Sequence, residues 1–429
     1  MTSPPSGRRS AAYPAIELLR SNRNYRWMWT GQLVSEVGAY FNNIAVFSLV
    51  VQTTGSGLAL SAVMLARAVP AMLAGPVAGV LLDRWDRRRV MIASDLFRAA
   101  AAVLFVFALT PGKEWLVFPF SAALMFASPF FTSGRASILP AVAGREHIHT
   151  ANSLTQVTEW TTQTVGTLAG GFAAAAFGYR WAFLLNAASF LFSALAISRM
   201  KPPRGHFRAE RPAQEARRHA AGEYVDGLRY IRRQPLIFGI CMLTVGWATG
   251  GGAAQILFTL FGELVFQRGS RGIGSVWGFA GLGLLAGGLI AHQLGKRLSF
   301  AGYKRTVSVA YLAHGAAFVA FSQAPSYGAA LAWIALSRVG QAICSVLNYS
   351  RLMRHTEDRF RGRVFSTLET LRWSVMMLSM GAAGVASAYF SPREIGAAAG
   401  VLGGLTGLFW LWADVRGKLP EPGTDTRPE

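Results

Sequence analysis

Ionisable side chains set inside long apolar runs are the residues of this sequence that can do chemistry. An ionisable group at bilayer depth costs about 2.5–3.5 kcal/mol on insertion scales, so it faces a cavity or a partner. Glu36 lies about ten residues into the first apolar run, roughly 15 Å along a helix and near the midplane. Arg67 lies similarly deep in the second run. A carboxylate at that depth can carry a proton, and a nearby base would tune its affinity. The two are expected to pair across the N-terminal half, with Glu36 as protonatable coupling site and Arg67 as its modulating base. A purely structural ion pair is the equal alternative.

Further charges follow the same logic. Asp95 and Arg98 stand three apart, as do Glu369 and Arg372, so each pair shares a helix face. Both pairs lie near the basic ends of their runs and read as interhelix gate pairs, with coupling as the lesser role. Glu159 has no close sequence partner and is the second choice for a proton or cation site. Arg338, mid-run, can attract an anionic substrate or pair with an acid. Glu263 lies near a run's end and reads as water-facing. Gln32, Asn42, Asn43, Gln52, Gln255, Asn348 and Tyr349 are candidates to line a central cavity. His292 and His314 read as polar helix contacts, because nothing clusters around them to hold a metal.

The elements that position these groups are membrane helices. The chain has 429 residues, 52% hydrophobic and only 15% charged. Average soluble proteins carry about a quarter charged residues. A spanning helix needs about 20 apolar residues, and twelve such spans are legible. They run near 26–51, 57–82, 90–111, 115–137, 153–177, 180–199, 236–265, 273–295, 304–324, 328–352, 362–390 and 394–415. The fold class is therefore an all-α membrane protein of twelve transmembrane helices in two pseudo-symmetric six-helix bundles, 26–200 and 236–415. A tail of 1–25, whose first residues read as disordered, a central loop of 201–235 and a tail of 416–429 complete the organisation. Within the central loop, Tyr224, Leu228 and Ile231 at helical spacing read as an amphipathic helix on the membrane surface.

The net charge of +21 would point a soluble protein towards nucleic acid. Here the bases alternate with apolar runs, which reads as a topology signal and excludes nucleic acid as the expected partner. Basic loops hold Arg84, Arg87, Arg88, Lys296, Arg297, Arg351 and Arg354, whereas Thr53 to Gly57 and Gln323 to Gly328 are bare. Basic loops stay inside, so both termini and the central loop are expected in the cytoplasm. Cys241 and Cys344 sit in apolar runs and read as small buried residues. Gly250-Gly251-Gly252 lacks the Lys-Ser/Thr of a phosphate loop and reads as a bend or close-packing site. No Walker motif and no hydrolase triad spacing occurs, so neither ATP-driven pumping nor catalysis is expected.

The two halves echo each other. Gly79, Asp83, Arg87 and Arg88 follow the second span as Gly288, His292, Lys296 and Arg297 follow the eighth. Duplicated six-helix halves are a transporter pattern. At the first of these loops the sequence resembles the major facilitator superfamily. That family's signature, Gly-x-x-x-Asp-Arg-x-Gly-Arg-Arg/Lys, stands here as Gly79, Asp83, Arg84, Arg87 and Arg88, with Asp86 in place of Gly. This variant, together with the stretches Arg23 to Gln32, Ala66 to Pro70, Ala151 to Leu154 and Arg361 to Ser366, is similar to the branch holding macrolide-type drug exporters and the enterobactin exporter.

The resemblance implies a bacterial inner-membrane transporter working by alternating access, with the signature loop as a cytoplasmic latch. It implies proton-coupled efflux of a small lipophilic molecule, drug or siderophore, with protons as coupling ion, no cofactor, and a monomer as the unit. A uniporter, an importer, and a transporter-like sensor or lipid-handling protein are the alternatives. Drug antiporters of the family often carry Gly-x-x-x-Gly-Pro-x-x-Gly-Gly in the fifth span. Here Thr162 stands at the first Gly and Thr167 at the Pro, while Gly166, Gly170 and Gly171 remain. Ala39 stands where relatives often have an acid, so no role of that acid transfers.

Overall fold

A computed structural model describes residues 14–201, 207 and 220–421. The expected disordered start of the N-terminal tail, most of the polar part of the central loop and the last residues of the C-terminal tail lie outside the described residues. A short helix α1, Pro14–Ser21, precedes the long helices. The first six of these are α2 Arg23–Thr54, α3 Gly57–Arg84, α4 Arg87–Leu104, α5 Val117–Ala143, α6 Ile148–Phe177 and α7 Tyr179–Ser198. After α8, Ala220–Arg233, come α9 Pro235–Leu260, α10 Gly269–Gly295, α11 Phe300–Gln323, α12 Tyr327–His355, α13 Asp358–Ala386 and α14 Pro392–Val415. A five-residue π-helical turn, Phe261–Val265, extends α9.

Nine of these helices are long and apolar enough to cross a membrane on composition alone. The other three long ones are α6, α11 and α13. Each carries polar or charged side chains, such as Glu159 and Gln163 on α6 and Glu369 and Arg372 on α13, that dilute its apolar character. They pack among the nine as members of the same two bundles.

Short polar punctuation sets the helix ends. The side chains of Asn22, Ser56, Asp86, Ser299 and Ser326 cap the starts of α2, α3, α4, α11 and α12 by accepting backbone N–H bonds. Ser391 and Glu394 form a reciprocal capping box at α14. Gly55, at φ 61°, ends α2 in the left-handed conformation that glycine adopts without strain.

The halves meet along one end and part towards the other. Near the end with bare loops, α6 and α10 touch backbone to backbone. A Cβ on Gly171 would stand 2.6 Å from the Ser270 carbonyl oxygen and 2.8 Å from Gly274 Cα. The Ser270 hydroxyl donates to the Gly171 carbonyl at 3.2 Å. On the opposite side of the junction, Gly384 of α13 faces Ser61 of α3 and Gly57 faces Ser387. Only small residues allow helices this close. Further along, α3 from Met64 to Met72 and α13 from Arg372 to Met380 separate around a cavity.

The glycine run Gly250 to Gly252 lies in continuous α-helix and serves close packing. Gly250 faces the Ala399 carbonyl of α14, and Gly252 faces Met376 of α13. The amphipathic α8 lays one edge of its apolar face on the C-terminal half. Its Tyr230 stacks on Phe360 at 4.3 Å, and Ile231 is buried in the C-terminal core, so that edge is covered by protein. Leu228 stays exposed, and the side chain of Tyr224 lies outside the described residues.

Candidate functional site

The cavity between the halves measures about 950 Å3. Its walls mix apolar side chains (Phe47, Met64, Met72, Trp277, Trp373 and Met380 among them) with a small set of charges. That composition suits a molecule with an apolar body and a few polar groups.

The charges meet on the wall made by α2, α5 and α6. Arg135 on α5 reaches two carboxylates at once. Its Nη2 donates to Glu159 Oε1 at 2.8 Å and its Nη1 donates to Glu36 Oε1 at 3.3 Å. The Glu36 carboxylate also accepts from Gln32 Nε2 and Thr162 Oγ1, each at 2.8 Å. Thr162 is the residue standing where related drug antiporters often carry glycine, and here its hydroxyl holds Glu36. One guanidinium therefore serves two acids, which leaves this cluster one negative charge in excess when both are ionised. Chemically, it can take up a proton without losing its cation, since an arginine stays protonated.

The expected pairing of Glu36 with Arg67 is not formed. Arg67 binds the side-chain oxygen of Asn43 and lies over the Phe47 ring at 5.7 Å. Asn43 stands seven residues, two turns and about 10 Å, along α2 from Glu36, so Arg67 meets the same face of α2 at another depth. Arg67 Nη1 is buried without a partner among the described residues. Arg67 lines the cavity together with Ala68 and Ala71.

The two expected gate pairs are intrahelical. Asp95 and Arg98 are ion-paired within α4, both almost fully buried, with Arg98 sandwiched between the rings of Phe131 and Phe190 at 4.6 and 4.4 Å. Their neighbours belong to the same half, so the pair ties α4 to α5 and α7 and bridges no gap between halves. Glu369 and Arg372 pair within α13 at 2.6 Å, and Arg372 faces the cavity beside Trp373. Among the described residues Arg338 pairs with no acid; it lies off this cavity, bound to Gln341.

Of the polar residues expected in the cavity, Asn43 and Gln255 line it and Gln32 serves Glu36. Asn348 instead accepts from the Tyr303 hydroxyl at 2.8 Å, and Tyr349 points outward. Gln52 has a different task. It donates to Glu263 Oε1 at 2.8 Å while Ser48 Oγ donates to Glu263 Oε2 at 2.8 Å, and Ser48 shares a further bond with the Tyr179 hydroxyl. Glu263, expected to face only water, thus fastens the π-helical turn after α9 to α2 across the junction.

In the signature loop, Arg87 Nη1 donates to the Ser137 carbonyl at 2.9 Å, and Arg88 caps the last carbonyls of α7 at Ile197 and Ser198. Both stay within the N-terminal half. Asp83 is half-buried, Arg84 is exposed, and neither has a partner among the described residues. Gly79 has open space where a Cβ would stand. Among the described residues no group of three or more metal-ligating side chains occurs, and Cys241 and Cys344 are free and buried.

The model of the Major Facilitator Superfamily matches residues 28–380. The chain belongs to that superfamily. It is a multi-pass membrane transporter of the major facilitator type. It is 27% identical over 221 residues to the uncharacterized transporter YfiS of Bacillus subtilis (strain 168), covering 51% of this chain and 52% of that relative. The chain thus matches about half the length of YfiS. It is 26% identical over 365 residues to the enterobactin exporter EntS of Escherichia coli O6:K15:H31 (strain 536 / UPEC), covering 81% of this chain and 82% of EntS. Among solved structures, a bacterial homologue of the iron transporter ferroportin in its inward-facing state superposes with a TM-score of 0.67 at 16% identity, covering 90% of this chain and 98% of that one. A POT family transporter in complex with 5-aminolevulinic acid gives 0.71 at 9% identity, covering 93% and 97%. At these identities the structural matches establish the fold.

Proposed function

We propose that this chain is a secondary active exporter of a small amphipathic molecule, coupled to proton entry through Glu36 and Glu159. The observation that carries the reading is the single arginine, Arg135, shared by two carboxylates in the wall of the central cavity. When one acid takes a proton, its contact with the guanidinium weakens and the other acid keeps the arginine. The proton also removes the cluster's excess negative charge, so a donor or cationic group of the substrate held there is released, and proton and substrate compete at one site as exchange requires. EntS, an exporter by name, supports the outward direction.

In this reading the halves 26–200 and 236–415 rock about the cavity. The basic loops lie in the cytoplasm of a bacterial inner membrane, with both termini inside. The halves touch at the end with bare loops, which supports reading this state as inward-open. The partnerless Asp83 and Arg84 agree with a latch that closes only in the opposite state.

The test is substrate-panel transport in proteoliposomes under an imposed proton gradient, comparing wild type with Glu36→Gln and Glu159→Gln. Gradient-driven transport lost in either variant, with downhill exchange retained, is the expected result. Transport with no dependence on the gradient in the wild type would overturn coupling and leave uniport. Coupled transport retained in both variants would remove the shared-arginine site from the mechanism.

A further inference from the structure

Arg338 has no use in the mechanism above, and its surroundings are unusual. It is 6% exposed, near the middle of α12. One Nη bonds the side-chain oxygen of Gln341, Nε has no partner, and the guanidinium carbon lies over Phe258 at 4.8 Å and Phe318 at 5.9 Å. These partners are all neutral. A buried cation normally requires a counter-charge.

The C-terminal half offers none at this depth. On α9 to α12 and α14 the acids stand only at helix ends, and each is engaged elsewhere. Glu263 binds Ser48 and Gln52, Glu394 binds Ser391, and Asp414 pairs with Lys304. On α13, Glu369 pairs with Arg372. A second titratable group, His314, lies beside it among the described residues. Its Nδ1 lies 2.9 Å from the Ser337 carbonyl oxygen and 2.7 Å from the Ser337 hydroxyl, which can donate to it and leave the ring hydrogen on Nε2, at the edge facing Gly403.

Arg338 and His314 line the same small cavity with Trp247, Gly250, Gly251 and Gly403. A Cβ on Gly403 would stand 3.5 Å from His314 Nε2, so the glycine wall keeps that edge clear. The space open to the centre of a water-sized body is about 10 Å3, room for one water or one small ion and no more. An organic substrate is excluded by volume. We propose that this cavity binds a monatomic anion of the chloride type, held by Arg338 beside the His314 ring, as the missing counter-charge of the C-terminal half. The site is independent of the proton-coupled reading above, because Arg338 does not line the central cavity.

The experiment uses the purified full chain in detergent. Its Tm is followed by tryptophan fluorescence as sodium gluconate is replaced by sodium chloride or bromide at constant ionic strength. A ligand that binds only the folded state raises Tm in a saturable way. The expected result is a saturable rise of a few degrees with chloride and bromide in the wild type, lost in Arg338→Gln and retained in Arg67→Gln. Equal Tm in gluconate and chloride for the wild type would overturn the proposal and assign the cavity to water. A rise that persists in Arg338→Gln would also overturn it. Should Arg338→Gln fail to fold, bromide-soaked crystals of the wild type decide the question. An anomalous peak beside Arg338 supports the site, and its absence there refutes it.

Discussion

Removing the Glu263 carboxylate should release the closed end of the molecule. Glu263 receives one bond from Ser48 and one from Gln52, each 2.8 Å long and each crossing between the halves. A hydrogen bond to a charged group contributes about 1.5–3 kcal/mol when buried. Glu263 is half-buried and Gln52 is exposed, so about 1 kcal/mol per bond is the appropriate figure after screening by water. Two bonds give about 2 kcal/mol, and 1.4 kcal/mol is tenfold. Glu263→Ala should therefore shift the ratio of the two end states about thirtyfold towards the one open at this end. Spin labels at Thr54→Cys and Tyr389→Cys place one probe on the outer end of each half, in a background where Cys241 and Cys344 are replaced. Pulsed distance measurements should show a new, longer population in Glu263→Ala. An unchanged distance distribution would refute the assignment of Glu263 to the closure, and would leave the small-residue contacts of α6 with α10 and of α3 with α13 to hold it.

Other perturbations separate structural from functional charges. Asp95→Asn leaves Arg98 buried without its partner, so it should destabilise the protein by about 3–5 kcal/mol, read as a lower Tm in detergent. Stability restored by the double variant Asp95→Asn/Arg98→Met would mark the pair as structural. Gly171→Leu forces a side chain into the Ser270 carbonyl and Gly274, and overpacking there should disfavour the closed end by about 1–3 kcal/mol. The same spin-label pair reads that shift, and an unaltered distribution would contradict the backbone-to-backbone contact. Arg88→Ala removes bonds to the Ile197 and Ser198 carbonyls and should lower stability by about 1–2 kcal/mol, whereas Arg84→Ala, with no partner in this state, should leave Tm unchanged.

The sequence made the spans and their order readable because hydrocarbon imposes a length and a composition on every helix. Depth was readable only coarsely, because counting from a span end misplaces a residue when that end is off by a turn or two. Arg67 meets α2 at Asn43, two turns from Glu36, while Glu36 turns to α5 and α6. Arg135 escaped notice for a related reason. Ending the fourth span at 137 placed it at the membrane surface, but α5 continues to Ala143 and carries Arg135 eight residues inside. Its signal was present, as a base within an apolar run of the kind that drew attention to Arg67. The partners of Glu263 had no local signal, because a contact between duplicated halves brings together positions more than two hundred residues apart. The i, i+3 pairs were legible as shared faces, but nothing in the spacing says whether such a pair satisfies itself or reaches across. In both cases it satisfies itself.

The placement of the charges gives the proposed cycle a mechanical form. On α2, Glu36 lies twelve residues from Ser48, and on α6, Glu159 lies twelve residues from Gly171. At a 1.5 Å rise each separation is about 18 Å. The inner member of each pair binds Arg135, and the outer member holds the junction with the other half. Both helices run unbroken between these points. A tilt of about 5° pivoting at the charged cluster moves the outer point by roughly 1.6 Å over that length. Hydrogen bonds of 2.8 Å do not survive such a displacement, and close glycine contacts open with it. Releasing one carboxylate from Arg135 thus needs no relay of intervening side chains to reach the closed end. The two helices that hold the acids also reach the junction, so a change of charge in the cavity and a change of contact at the far end are two ends of one rigid body.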